Sequence, residues 1–264
     1  MLFRSQEKKQ SGQIRNIGFS FHGNSDMFIK ILNAYDWDFC QIQYNYFDEH
    51  TQAGRKGLDA AFEKGIPVII MEPLRGGKLV HALPTGAKKI ISEHEKKYSP
   101  AEWALRWLWN QPAVTCVLSG MNSLEMVEEN IKIASEVKAN EFTTDDFNFI
   151  NQIKKEINEK MKVGCTGCGY CMPCPKGVDI PSTFSSYNLI STESKFDGMK
   201  NYFMTVGLRK DINTPDMCIG CGKCEKHCPQ HLPIRQHLKD AGKELQPWYV
   251  KFAIKCVRIF KLWK

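Results

Sequence analysis

Short, β-rich apolar runs alternate with helical patterns through about the first 140 residues. The runs are IRNIGFSF (14–21), DFCQIQYN (38–45), PVIIMEP (67–73) and VTCVLSG (114–120). Each is brief and rich in β-branched or aromatic residues, so each reads as a buried strand. Between them SDMFIKILNAY, AGRKGLDAAFEKG and SPAEWALRWLWNQ repeat at helical spacing, with Gly65 as a stop in the second and Ser99 capping Pro100 in the third. The fourth run leads into NSLEMVEENIKIASEV, where Asn122 or Ser123 could cap. Strand and helix in alternation imply parallel strands with helices on the faces of the sheet. The pattern yields four such units, whereas a closed eight-stranded barrel typically needs about 250 residues. The region is therefore a small open α/β domain or half of a barrel, and periodicity does not choose between them.

The amphipathic pattern TTDDFNFINQIKKEINEKMK (143–162) closes the α/β region. From 165 to about 240 there is little strand signal, and the segment between the cysteine runs reads as helices and turns. The expected organisation is an α/β domain over 1–162, a small helical domain over 163–240 and a terminal helix over 241–264.

Composition adds few constraints: 264 residues with 42% hydrophobic content suit a globular chain with more than one domain. The opening MLFRSQEKKQSGQ has no signal-peptide pattern and no stretch reaches the roughly 18 apolar residues of a membrane span. A cytoplasmic chain is expected. The net charge of +7 is concentrated at the end, where Lys243, Lys251, Lys255, Arg258, Lys261 and Lys264 face the single Glu244. In WYVKFAIKCVRIFKLWK (248–264) the cations fall at helical spacing among apolar residues, which describes a basic amphipathic helix. Such a helix either contacts an anionic membrane surface or packs on the neighbouring domain. Charge alone does not make a nucleic-acid site, and none is expected.

Eight of the eleven cysteines form two runs. Cys218, Cys221, Cys224 and Cys228, followed by Pro229, match the C-x2-C-x2-C-x3-C-P run of bacterial 4Fe-4S ferredoxins. Three thiolates spaced two residues apart can reach three corners of one cubane, with Gly220 and Gly222 letting the loop wrap closely. The fourth ligates the other cluster in two-cluster ferredoxins. Cys165, Cys168, Cys171 and Cys174, followed by Pro175, repeat the design with a shorter last gap. The expected assignment crosses the runs: Cys165, Cys168 and Cys171 with Cys228, and Cys218, Cys221 and Cys224 with Cys174. Zinc is the competing metal, but its structural sites require neither three equal CxxC steps nor a trailing Cys-Pro. His227, between ligands, reads as a surface residue, and Cys40, Cys116 and Cys256 as small core residues.

IRNIGFSFHG, DFCQIQYNYFD, GIPVIIMEPLRGGKL and AEWALRWLWNQPAVTCVLSGMNSLEMVEEN resemble the aldo-keto reductase family, and the chain looks like the C-terminal two-thirds of members that carry a helical ferredoxin domain. The resemblance implies an α/β half of a (β/α)8 TIM-type barrel, strands five to eight, followed by an all-α two-cluster ferredoxin domain. It implies parts of an NAD(P) site: Ser20 and Gln41 for the carboxamide, Ser119, Gly120 and Asn122 near the phosphates, Glu129 and Asn130 for the adenine. The family's catalytic Asp, Tyr, Lys and His lie on its first four strands and have no matching segment here. His22, Tyr44 and Tyr46 sit on the second-half strands and read as structural. Phe21 stands where the family usually has Asn, Met71 where Tyr stacks on nicotinamide, and Met126 where Arg grips a 2'-phosphate. RGG at 75–77 reads as a turn.

These features point to an iron-sulfur oxidoreductase in which two 4Fe-4S clusters carry single electrons to or from a barrel-mouth site. It would work with an electron-transfer partner protein and a small-molecule substrate. A non-enzymatic ferredoxin-type carrier and a truncated product are the alternatives. Four strands with uncovered apolar faces also imply an oligomer or a completing chain.

Overall fold

The computed structural model describes residues 2–211 and 213–260. The chain divides into two compact units, Met1–Val80 with Ile91–Lys154, and His81–Ile90 with Lys155–Lys264. The elements run in order: α1 (Leu2–Gln10), β1 (Gly18–Phe21), α2 (Ser25–Asn33), β2 (Phe39–Gln43), α3 (Gly54–Glu63), β3 (Val68–Met71), α4 (Lys78–His81), α5 (Thr85–Glu93), α6 (Pro100–Trp109), β4 (Val114–Val117), α7 (Leu124–Glu136), α8 (Thr144–Lys160), α9 (Ile180–Thr192), α10 (Lys195–Tyr202), α11 (Lys223–Lys226), α12 (Ile234–Leu245) and α13 (Trp248–Ile259). The division between the units runs through α4, α5 and α8.

The first unit is a four-stranded sheet in the order β1-β2-β3-β4 with every pair parallel. All four expected strands are present, each trimmed to its apolar centre. Its helices begin where short polar side chains satisfy free amide groups. Asn24 accepts from Met27 N at 2.9 Å, Ser99 from Glu102 N at 3.0 Å and Ser123 from Met126 N at 3.3 Å. Ser123, not Asn122, therefore caps α7. Gly65 ends α3 with a φ of 68°, a backbone setting that suits glycine. Phe28, Leu32, Ile42, Leu58, Ile70, Trp103 and Leu108 form the core. Helix α1 was not expected from its polar pattern, and the Asp38 carboxylate takes both Lys9 and the Ile17 amide, the latter at 2.7 Å. Cys40 is buried as expected, and burial pushes its thiol up to about 12. Cys116 is exposed instead of buried, because it lies on the edge strand β4.

The second unit is all-helical, with a π-helical turn at Phe203–Gly207 and a 3-10 turn at Pro215–Met217. Val178, Phe184, Tyr202, Val206, Leu238 and Leu245 centre its core. Helix α13 belongs to this unit and does not stand apart: Val250 and Ile254 join the same core, while Trp248 and Phe252 are exposed beside Lys251 and Lys255. Lys261 and Lys264 lie outside the described residues. No helix among the described residues is long and apolar enough to cross a membrane.

Helices α9 and α10 pack most closely where Gly198 lies on Ile190. A Cβ at 198 would meet Ile190 Cγ1 at 2.5 Å and the Ser186 carbonyl oxygen at 2.8 Å. Backbone cannot yield as a flexible side chain does, so Gly198→Ala should lower stability by about 1–3 kcal/mol. A thermal melt of the purified chain checks this, and an unchanged melting temperature would contradict the close packing.

Candidate functional site

Two cavities in the second unit gather the eight cysteines of the two runs. One is lined by Cys165, Cys168, Cys171 and Cys228. The other is lined by Cys218, Cys221, Cys224 and Cys174. Each cavity thus takes three cysteines from one run and the last cysteine of the other. Both runs turn in the same way: Gly167 and Gly169 have φ of 83° and 81°, Gly220 and Gly222 of 71° and 73°. A Cβ at Gly220 would meet nothing within 4 Å. Backbone conformation, not crowding, is what calls for glycine there.

Neighbouring side chains fix both loops. Asn188 on α9 accepts from Lys162 N at 3.1 Å and Val163 N at 2.8 Å, and donates to Val163 O at 2.7 Å, anchoring the approach to Cys165. Glu225 accepts from Arg235 N and Nε, each at 2.9 Å, and Arg235 Nη1 donates to Gly220 O at 3.4 Å. The second loop is thereby tied to the start of α12. Cys165, Cys171, Cys174, Cys218, Cys224 and Cys228 pack against the hydrophobic core, while Cys168 and Cys221 are exposed. His227 is exposed, as expected.

The chemistry of the first cavity suits a metal cluster. Burial, then the nearby Cys165, Cys168 and Cys228, push the Cys171 thiol up to about 12. Ionising such a group requires a compensating positive charge, which bound iron supplies. Gln230 lines the same cavity, and its buried Nε2 has no acceptor among the described residues. Cluster sulfide is an acceptor of the kind this donor lacks. Among the described residues no three His, Cys, Asp or Glu side chains converge closely enough to hold one metal ion.

In the first unit the residues singled out for a nucleotide fall into separate groups. Ser20 and Gln41 are in register on β1 and β2, with Gln41 Nε2 at 3.5 Å from Ser20 Oγ and 3.4 Å from Met71 Sδ. Ser119 Oγ accepts from Asn130 Nδ2 at 3.1 Å, and Glu129 accepts from Ser99 Oγ at 2.7 Å. Gly120 and Asn122 are exposed. Tyr44 and Tyr46 are buried, and Tyr44 OH donates to Gln111 Oε1 at 3.2 Å, which fits their structural reading. His22 meets Gln52 Oε1 at 3.2 Å, and burial lowers its proton affinity.

A buried polar network beyond the carboxyl ends of β2 and β3 was not anticipated. Asp48 accepts from Arg75 Nε at 2.9 Å, Gln43 Nε2 at 3.1 Å and Asn45 Nδ2 at 3.2 Å, with Asp48 and Arg75 each 3% exposed. Arg75 in RGG is thus a buried ion-pair partner, not only part of a turn. Glu72, next to it, has a φ of 52° and a buried Oε2 without a hydrogen bond. Burial, then Asp48, raises the affinity of that carboxyl for its proton. The available signal was polar Gln43 and Asn45 at the end of an apolar run, the place where parallel sheets carry their ligand sites.

A parallel α/β unit is followed in the chain by a helical unit whose two cavities are lined by cysteines. The model of the aldo/keto reductase family matches residues 5–155, more than half of the chain, and the chain belongs to that family. The match occupies the N-terminal part of this chain. A 4Fe-4S dicluster domain matches residues 164–232. Among solved structures the chain is similar to the aldo-keto reductase AKR11C1 from Bacillus halodurans. The holo form is 21% identical over 56% of this chain and 53% of that one, with a TM-score of 0.46. The apo form is 19% identical over 56% and 54%, also with a TM-score of 0.46. No curated protein matches. The chain spans about half the length of the solved structures it matches.

Two outcomes test the polar network. Arg75→Ala leaves Asp48 buried beside a lost cation and should cost about 3–5 kcal/mol, while Asp48→Asn with Arg75→Met should recover much of it. Denaturant melts of the three proteins decide this. Glu72 has its proton affinity raised by folding, so its contribution is present at low pH and lost as pH rises through the raised value. Between about pH 4 and 7 the stability of Glu72→Gln relative to wild type should therefore increase. A constant difference across that range would contradict it.

Proposed function

We propose that the chain is an iron-sulfur oxidoreductase of the aldo/keto reductase family whose helical unit holds two 4Fe-4S clusters by crossed ligands. Cys165, Cys168, Cys171 and Cys228 would hold one, and Cys218, Cys221, Cys224 and Cys174 the other. The observation that carries this reading is the membership of the two cavities, each drawing three cysteines from one run and one from the other. When bound, the clusters supply one-electron transfer, which a hydride-transfer barrel does not need. Asn188 and Arg235 position the loops, and Gln230 Nε2 offers a donor toward the first cavity.

The α/β unit corresponds in this reading to strands five to eight of an eight-stranded barrel. Support comes from free edges at β1 and β4 and from exposed Leu118, Met121, Leu124 and Ile131, which a complete barrel or another polypeptide would cover. The substrate is a small molecule bound beyond the carboxyl ends of the strands, beside Gln41, Met71 and Glu72. Glu72 Oε2 is suited to hold a proton there. A nicotinamide nucleotide would use Ser20, Gln41, Ser119, Gly120, Asn122, Glu129 and Asn130. Glu129 and Asn130 already bond within the protein, and Met126 offers no charge to a 2'-phosphate. Electrons would therefore come from a partner protein. Trp248 and Phe252, exposed beside Lys251 and Lys255, support peripheral contact of α13 with an anionic membrane.

Anaerobic purification followed by iron and sulfide assays tests the reading, with about eight irons per chain expected. The crossing is tested by Cys228→Ser: although it alters the second run, it should change the spectrum of the cluster held by the first. Loss confined to the other cluster would overturn the crossing, and zinc in place of iron would overturn the reading itself.

A further inference from the structure

The second unit carries an open groove of about 430 Å3 beside the Cys218 loop. Its lining includes Cys218, Gly220, Arg235, Lys239, Lys243 and Lys251, with Asp216 as the one carboxylate among the described lining residues. Arg235, Lys239 and Lys243 are spaced four residues apart on α12, so they form one stripe along a single helix face. Lys251 faces them from α13.

These charges are only partly compensated. Arg235 pairs with Glu225 at 2.9 Å, Lys243 lies 3.7 Å from Asp240 and Lys251 lies 3.4 Å from Asp216. Lys239 has no ion-pair partner among the described residues. The paired cations remain open to solvent, Arg235 at 53%, Lys243 at 67% and Lys251 at 55% side-chain exposure. A small anion is gripped by convergent, buried donors, whereas long exposed cations around an open trough act at a distance and reorganise easily. Next to the stripe, Ile219 is 62% exposed and Cys221 is exposed. An apolar spot beside the thiols, flanked by cations, has the make-up of a small, transient protein interface.

We propose that this groove docks the acidic face of a small one-electron carrier protein, bringing that carrier to the Cys218–Cys224 loop. The proposal rests on the reading that Cys218, Cys221, Cys224 and Cys174 hold a cluster. It assigns that cluster as the point of exchange: one electron leaves the reduced carrier, which is oxidised, and reduces the cluster beside the groove. Opposite charge steers the encounter and salt weakens it.

The test uses the full chain with its clusters, purified without oxygen, and two probes: a reduced acidic bacterial ferredoxin and a reduced basic cytochrome. Electron transfer is followed by stopped-flow absorbance at several salt concentrations. The double variant Lys239→Glu/Lys243→Glu should react with the ferredoxin at least about tenfold more slowly at low salt and converge with wild type at high salt. Carbodiimide should cross-link ferredoxin carboxylates to Lys239 or Lys243. Iron and sulfide contents measured in parallel keep the two ideas apart, since a chain without iron sinks the cluster reading. In an iron-replete chain, an unchanged rate in the variant would overturn the docking proposal. So would equal reactivity of the basic cytochrome, or pyrophosphate stabilising the wild type against heat while ferredoxin fails to cross-link.

Discussion

The second unit is governed by the difficulty of placing four thiols around one cavity. Burial, then the neighbouring Cys165, Cys168 and Cys228, raise the proton affinity of the Cys171 thiol. A multinuclear cation resolves that conflict, and the surrounding structure is arranged as if to receive one. Glycines with left-handed backbone turn the loops, Asn188 and Arg235 fix their ends, and the cysteine side chains rest on the core that also holds Phe184 and Leu238. Because the last cysteine of each run lines the cavity of the other, the two runs cannot be arranged independently.

The first unit obeys a different constraint. A parallel sheet is stable when both of its faces are covered and its edges are closed or protected. Here one face of the middle strands meets the rule, since Cys40, Ile42, Val68 and Ile70 are buried, while Gln41, Ile69 and Met71 on the other face are partly exposed. The edge strand β4 does not, and Leu118, Met121, Leu124 and Ile131 remain exposed near it. The polar network of Gln43, Asn45, Asp48 and Arg75 lies next to β2 and β3, where it is buried and hydrogen bonds to a charge are strong. Burial and chemistry thus coincide in the middle of the sheet and both fade toward β4.

Much of this was legible in the sequence, for reasons that differ by element. The strands were readable because short apolar runs were bounded by turn residues, and the candidate cluster ligands because successive CxxC steps ending in Cys-Pro match a ferredoxin run. Helix α1 was not readable, since its sequence LFRSQEKKQ presents no strong apolar face and Asp38, distant in sequence, helps hold it. Cys116 was misread because apolar neighbours in sequence do not say whether a strand lies at an edge. Arg75 looked like a turn residue, and its role depends on Asp48 from another loop.

The two cysteine-lined cavities differ in charge as well as in composition. The residues lining the first include no ionisable side chain apart from its cysteines, whereas Lys176 and Arg235 line the second. Negative charge held in the second cavity is therefore stabilised by two cations that the first lacks, although Glu225 offsets part of the Arg235 contribution. Gln230 Nε2 works in the opposite sense, because it offers a donor to the first cavity. A hydrogen bond from a neutral amide is the weaker influence beside full charges at similar range. Cys218 of the second cavity also lines the cation-flanked groove.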